Sequence, residues 1–164
     1  MNAGAGQRLR PVLVAALLAA FVALLGGLMT DIGPWYRSLV QPPWKPPDWL
    51  FGPAWTLIYA LIATAGVQAW RRTPPGARRD ATMALFALNA FLNVLWSLLY
   101  FRLHRPDWAV VEVVALWLSI VALMVAVHRH APTASWLLLP YLLWVSFAGW
   151  LNLATVRLNG PFGA

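Results

Sequence analysis

Five stretches of this chain run for about twenty residues each with almost no charge: 11–30, 50–70, 81–101, 108–127 and 136–156. Only the fourth contains a charged residue type, the acid Glu112. A helix needs about 20 apolar residues to cross a hydrocarbon layer of about 30 Å. It also satisfies its own backbone groups there, where water cannot. The pattern predicts an all-α integral membrane protein, a five-transmembrane-helix bundle forming one domain over 1–164. The connecting segments are too short for a separate soluble domain.

Arg8 and Arg10 before the first run resemble the start of a secretory leader. That run is longer than a leader's core of about 7–15 residues, so a retained span is expected. The segments before 11, at 71–80 and at 128–135 share one side of the membrane. They carry Arg8, Arg10, Arg71, Arg72, Arg78, Arg79 and Arg129. The other side carries Arg37, Lys45, Arg102, Arg105 and Arg157. The excess of basic residues favours an inside N-terminus.

Composition sharpens this picture. Apolar residues make up 61% of the 164 residues and charged residues 10%, against about 25% charged in soluble domains. A disordered chain is excluded by the hydrophobicity. Without cysteine, disulfides, thiolate metal sites and a cysteine nucleophile are excluded. The net charge of +7 is spread beside the apolar runs, which fits membrane flanks and not a nucleic-acid partner.

Catalytic parts are sparse. His104, His128 and His130 sit at span ends or in loops, at solvent or headgroup level, without further ligand candidates, so no metal site is expected. There is no glycine-rich phosphate loop and no Gly-x-Ser-x-Gly elbow. Glu112 sits about one turn inside its span, and Ser119 shares its face. It either reaches the interface or packs, or it serves a ligand or a proton. In the first span Ala15, Ala19, Ala23 and Gly27 recur every four residues as a close-packing stripe.

The chain has 11 tryptophans. Trp35, Trp44, Trp49, Trp70, Trp108 and Trp136 lie at span ends or in the first loop, as interface anchors do. Trp55, Trp96, Trp117, Trp144 and Trp150 lie deeper, where each indole N–H needs an acceptor. Asn89, Asn93 and Trp96 share a helix face; Trp55 and Tyr59 are four apart, as are Trp144, Ala148 and Asn152. These mixed aromatic and amide stripes either pack together or line a pocket for a planar apolar ligand. The proline- and tryptophan-rich 31–49 loop reads as a rigid lid.

The loop and second span carry Trp35-Tyr36, Leu39, Gln41-Pro42-Pro43-Trp44, Pro46-Pro47, Trp49, Phe51, Pro53, Trp55-Thr56 and Tyr59. The third has Ala87-Leu88-Asn89, Asn93, Trp96 and Tyr100-Phe101, and the fifth Pro140-Tyr141-Leu142, Trp144, Phe147, Leu151-Asn152, Arg157 and Asn159. In order and spacing this set resembles the TspO/MBR family, the translocator proteins or peripheral-type benzodiazepine receptors, in a bacterial-type form. The resemblance implies a five-helix bundle, usually homodimeric, in a bacterial cell membrane or outer membrane. It implies binding of porphyrins and haem as ligands, with no obligatory cofactor, in a pocket capped by the first loop. Its pocket positions fall on Trp55, Asn89, Asn93, Trp96, Trp144, Ala148 and Leu151. Trp35, Trp44, Tyr59 and Asn152 complete the candidate ligand-binding set.

Three functions follow as expectations. The first is a membrane-embedded tetrapyrrole sensor, carrier or regulator. The second, also implied by the resemblance, is light-dependent porphyrin degradation at the same site, with Trp55 and Trp144 as candidate catalytic residues. The third is a small proton-coupled exporter using Glu112. This chain departs from the family pattern at four places. Gln41 replaces a lysine, Asn89 a glutamine, and Ser97-Leu98 the proline after the third-span tryptophan, so the family's kink is not expected. Leu153 replaces the tyrosine of the cholesterol-recognition motif, which argues against high-affinity sterol binding.

Overall fold

The computed structural model describes residues 3–163. The chain ends of the expected 1–164 domain, and the side chain of Arg8 used for orientation, lie outside the described residues. Among the described residues seven α-helices follow one another: α1 (Ala3–Met29), α2 (Pro34–Ser38), α3 (Phe51–Arg72), α4 (Ala77–Ser97), α5 (Pro106–His128), α6 (Pro132–Leu137) and α7 (Leu139–Asn159). A 3-10 turn, Asp48–Leu50, leads into α3, and a π-helical turn, Leu98–Arg102, closes α4. No strand occurs among the described residues. Five stretches are long and apolar enough to cross a membrane: Leu9–Met29, Asp48–Arg72, Ala77–Arg102, Pro106–His128 and Pro132–Asn159.

Proline and glycine set the boundaries. Pro74 and Pro75 cannot continue α3, whose last turn carries Arg71 and Arg72 against the negative end of the helix dipole. Gly76, at φ 133°, turns the chain into α4 in a conformation that side chains resist. Pro106 and Pro132 open α5 and α6 at positions where a missing N–H costs nothing.

Two expectations about helix regularity need correction. The fifth span is not one helix: it breaks at Leu138 between α6 and α7. Pro140 lacks an N–H and its ring crowds the carbonyl four residues back, so α6 cannot run on. The third span, expected to stay regular without the family's proline, widens into the π turn directly after Ser97. There the Leu103 N–H donates to the Leu98 carbonyl at 2.9 Å.

α5 is the central helix, packed on α4 and α7 and buried along Ala109, Val113, Leu116, Ile120, Leu123 and Val127. α1 packs chiefly on α3 and leaves Leu13, Leu17, Phe21 and Leu24 more than half exposed. Such a face is stable against lipid or another apolar surface, not against water. The small-residue stripe does pack inside the bundle, but its last member is displaced. Gly26 is buried against the Tyr59 hydroxyl, whereas Gly27 is exposed, and a Cβ added there would meet nothing within 4 Å. Each four-residue step overshoots one helical turn by about 40°. Three steps carry position 27 out of the contact.

Candidate ligand-binding site

The site is built where α3 faces α7 under the first loop. The indoles of Trp55 on α3 and Trp144 on α7 meet edge to face, with ring centroids 6.5 Å apart and planes at 82°. Trp55 also stacks on Tyr59 one turn further along α3, at 5.4 Å. Phe51 and Phe147 flank Trp144 at 5.6 and 5.9 Å. Trp44, from the loop, sets its ring edge-on to Phe147 at 5.9 Å. This continuous aromatic wall joins loop, α3 and α7.

The loop is fixed from three sides. Asn159 at the end of α7 grips Val40 twice: its carbonyl oxygen accepts from the Val40 N–H at 2.7 Å and its amide donates to the Val40 carbonyl at 2.9 Å. Trp35 stacks flat on His104 at 4.1 Å, and Tyr36 is buried against Phe101. The Tyr36 hydroxyl donates to Asp48, which also pairs with Lys45. Burial, then the Asp48 charge, push the Tyr36 phenol well above its ordinary value. His104 is exposed in the loop before α5, as a solvated or headgroup-level histidine should be, and it has a second role. It holds a positive φ of 54° and forms the seat for Trp35.

The amides lie deeper and are occupied. Asn93 accepts from the Tyr59 hydroxyl at 2.7 Å and donates to the Tyr141 hydroxyl at 3.2 Å. Asn89 donates to the Ser119 hydroxyl at 2.8 Å. Asn152 accepts from the Trp96 indole at 3.2 Å and donates to the Pro106 carbonyl at 2.9 Å. These bonds tie α3, α4, α5 and α7 together. The side chains of Asn89, Asn93 and Asn152 are thus joined by packing hydrogen bonds behind the aromatic wall.

Three groups stand apart from this network. The Trp144 indole nitrogen is buried and has no hydrogen-bond partner. The amide nitrogen of Gln41, in the loop, is likewise buried and unpartnered. Glu112 faces into the bundle: it is 9% exposed, with both carboxyl oxygens buried and unpartnered. Buried polar groups without a partner are few in native structures and call for a specific explanation.

The predicted residues therefore divide. Trp44, Trp55, Tyr59 and Trp144 form the wall. Trp35 anchors the loop beside it, Trp96 and the three asparagines form the ties, and Leu151 is buried on α7 while Ala148 is half-buried. Of the tryptophans placed deep by sequence, Trp117 and Trp150 face outward, 37% and 62% exposed. Trp117 finds its acceptor in Ser146 at 2.9 Å. A 210 Å³ groove between α5 and α7, lined by Val113, Val145 and Gly149 among others, includes none of the predicted site residues. Phe51, Phe147 and the hub Tyr141, which is 1% exposed, carry the family resemblance but are absent from the candidate site set read from sequence. A tyrosine inside an apolar run is itself a signal, because its hydroxyl must find a partner there.

The TspO/MBR family model matches residues 13–158 of this chain. The chain belongs to the TspO/MBR family. Together with the five apolar helices, membership makes it a multi-pass membrane protein. It is 40% identical to the tryptophan-rich protein TspO of Archaeoglobus fulgidus over 151 residues, 90% of this chain and 96% of that one. It is also 40% identical to the tryptophan-rich protein TspO of Chlorobaculum tepidum over 129 residues, 76% and 79% of the two chains. The tryptophan-rich sensory protein of Cereibacter sphaeroides is 32% identical over 149 residues, 88% and 92%. These names fit a sensory or ligand-binding role in the membrane.

Proposed function

We propose that this protein binds porphyrins, haem and related planar apolar ligands within the membrane, as a tetrapyrrole sensor, carrier or regulator. The observation that carries this reading is the buried indole N–H of Trp144, which lacks an acceptor inside a wall of six aromatic rings. A ring ligand with acceptor atoms at its edge supplies both what the wall offers, flat apolar contact, and what Trp144 lacks. Gln41 in the loop offers a second unpartnered donor for the acidic edge of such a ligand. The homodimer that the family resemblance implies belongs to the same proposal, and light scattering of the purified protein tests it.

Titration of the detergent-solubilised protein with protoporphyrin IX and haem, read by tryptophan quenching and the Soret band, tests the binding. Saturable quenching at one ligand per chain is expected, and its absence removes the reading. The contact between Trp55 and Trp144 favours a second reading, photo-oxidation of the bound porphyrin by dioxygen. Illumination of the complex separates the two. New absorbing products that vanish in Trp55→Phe and Trp144→Phe identify turnover, and unchanged pigment leaves binding alone.

A further inference from the structure

At the opposite end of the bundle from the first loop, a wide surface cavity of about 640 Å³, open to its surroundings, lies between the start of α1 and the turn that joins α3 to α4. Pro11, Trp70 and the 73–75 turn form its walls, and Arg71, Arg72 and Arg79 supply three guanidinium groups. No carboxylate is among the described lining residues. We propose that this cavity is a binding site for a phosphate-bearing anion, a use separate from the aromatic wall and independent of the porphyrin reading.

Three observations converge on it. First, the cations are positioned. Arg79 lies flat over the Trp70 indole, 4.1 Å from the ring centroid. Arg72 donates to the Thr133 hydroxyl at 2.9 Å, and Thr133 donates in turn to Gln68. Marking the inner side of a membrane requires positive charge only; it does not require stacked or tethered guanidiniums around a cavity. Second, the Arg79 Nε is buried with no hydrogen-bond partner. A buried guanidinium donor calls for an acceptor, and phosphate oxygens match its planar fork. Third, the cavity lies where two membrane spans end, Leu9–Met29 at its start and Asp48–Arg72 at its finish. Lipid headgroups lie at that depth, and basic pockets there hold anionic ones. Trp70 is 41% exposed and the neighbouring Leu13, Val14 and Leu17 face outward, which gives acyl chains an apolar path from the same site. The shared chemistry is the phosphate group, carried by an anionic phospholipid or by a soluble phosphate.

Native mass spectrometry of the full chain in detergent, titrated with phosphatidylglycerol or with phosphatidylcholine of the same acyl chains, tests the site. Phosphatidylglycerol is expected to bind about tenfold or more tightly than phosphatidylcholine. Arg79→Gln and Arg72→Gln should each weaken it by about tenfold, a loss typical of a charge-assisted contact. Arg129→Gln, an exposed arginine at the end of α5, should leave it unchanged. Arg79→Lys keeps the charge without the fork and should fall between; it also stands in if Arg79→Gln fails to fold. Competition by inorganic phosphate then separates the sources. Displacement of the lipid assigns a soluble phosphate, and retention of the lipid assigns the headgroup. Equal affinity for the two lipids together with no phosphate binding, or equal loss in all four variants, overturns the proposal.

Discussion

Asn159 and Val40 are joined by two hydrogen bonds across 119 positions of sequence, 2.7 Å from the Val40 N–H and 2.9 Å to its carbonyl. A side-chain amide here takes the place of a neighbouring strand. It satisfies both backbone groups of a loop residue that has no regular structure of its own. The first loop is therefore not tethered only by its ends at α1 and α3, but stapled at its middle to the far end of α7.

Asn159→Ala should release this staple. Two exposed hydrogen bonds are lost, each worth about 0.5 kcal/mol at the low end of the usual range. Loop opening should then rise by about fivefold. Limited proteolysis should show faster cleavage within 39–47, with the helices intact. An unchanged cleavage rate would mean that the packing of Trp35 and Tyr36 holds the loop by itself.

Trp144→Phe removes one N–H and keeps most of the ring. Because that donor has no partner, thermal stability should hold or rise slightly, as relief of an unpaired buried group predicts. Porphyrin affinity should fall by about three- to tenfold, the worth of one hydrogen bond of about 0.5–1.5 kcal/mol. A fall in melting temperature with affinity unchanged would assign Trp144 to packing.

Asn93→Ala should behave in the opposite way. It strips partners from the Tyr59 and Tyr141 hydroxyls. The expected loss is about 1–2 kcal/mol, toward the low end because membrane hydrogen bonds average about 0.6 kcal/mol each. Thermal unfolding in detergent measures it. If affinity drops while stability does not, Asn93 contacts ligand instead of tying helices.

Tyr36 gives the loop a pH limit. Its folded value is raised above the ordinary 10.0, chiefly by burial and then by Asp48. The folded state therefore favours the neutral phenol. Its contribution is complete below about pH 10 and declines as pH rises beyond that, because the unfolded loop ionises first. Proteolysis within 39–47 should accelerate from pH 9 to 11 (about one unit either side of the ordinary value) in the parent protein. Tyr36→Phe should flatten that rise, and an identical rise in both would place its cause elsewhere.

Gly26→Ala tests the α1 contact. An added Cβ would stand 3.5 Å from the Tyr59 hydroxyl, an ordinary contact. The gain in helix propensity, about 0.5–1 kcal/mol, should then appear as a higher melting temperature. Gly149→Val is expected to destabilise by about 1–3 kcal/mol, because even a Cβ there would meet Val113 at 3.3 Å. Loss of stability at Gly26 as well would show that α1 and α3 need closer approach than the Cβ geometry allows.

The stripes read from spacing fared differently for one geometric reason. Asn89, Asn93 and Trp96 follow an i, i+4, i+7 pattern, which stays within about 40° of one direction, and all three side chains face the bundle's polar ties. Trp144, Ala148 and Asn152 follow repeated steps of four, which rotate by about 80° in all. Trp144 accordingly meets α3 while Asn152 meets α4 and α5. The same drift moved the α1 contact from Gly27 to Gly26. His104 carried no signal at all, since its seat under Trp35 joins residues far apart in sequence.

From the sequence alone came the five spans, their prolines and glycines as boundaries, the ordered loop and the family. Each rests on local chemistry: a hydrocarbon layer demands about 20 apolar residues in a row, and proline or glycine acts on its own backbone. Tertiary structure alone decided which polar groups are occupied. Asn93 is consumed between Tyr59 and Tyr141, while the Trp144 N–H, the Glu112 carboxyl and the Arg79 Nε are left without partners. A hydrogen bond between helices depends on their relative rotation and depth to within a few tenths of an ångström. Residue type and spacing along one helix do not specify that, so the division between tie and open site emerges only when the helices pack.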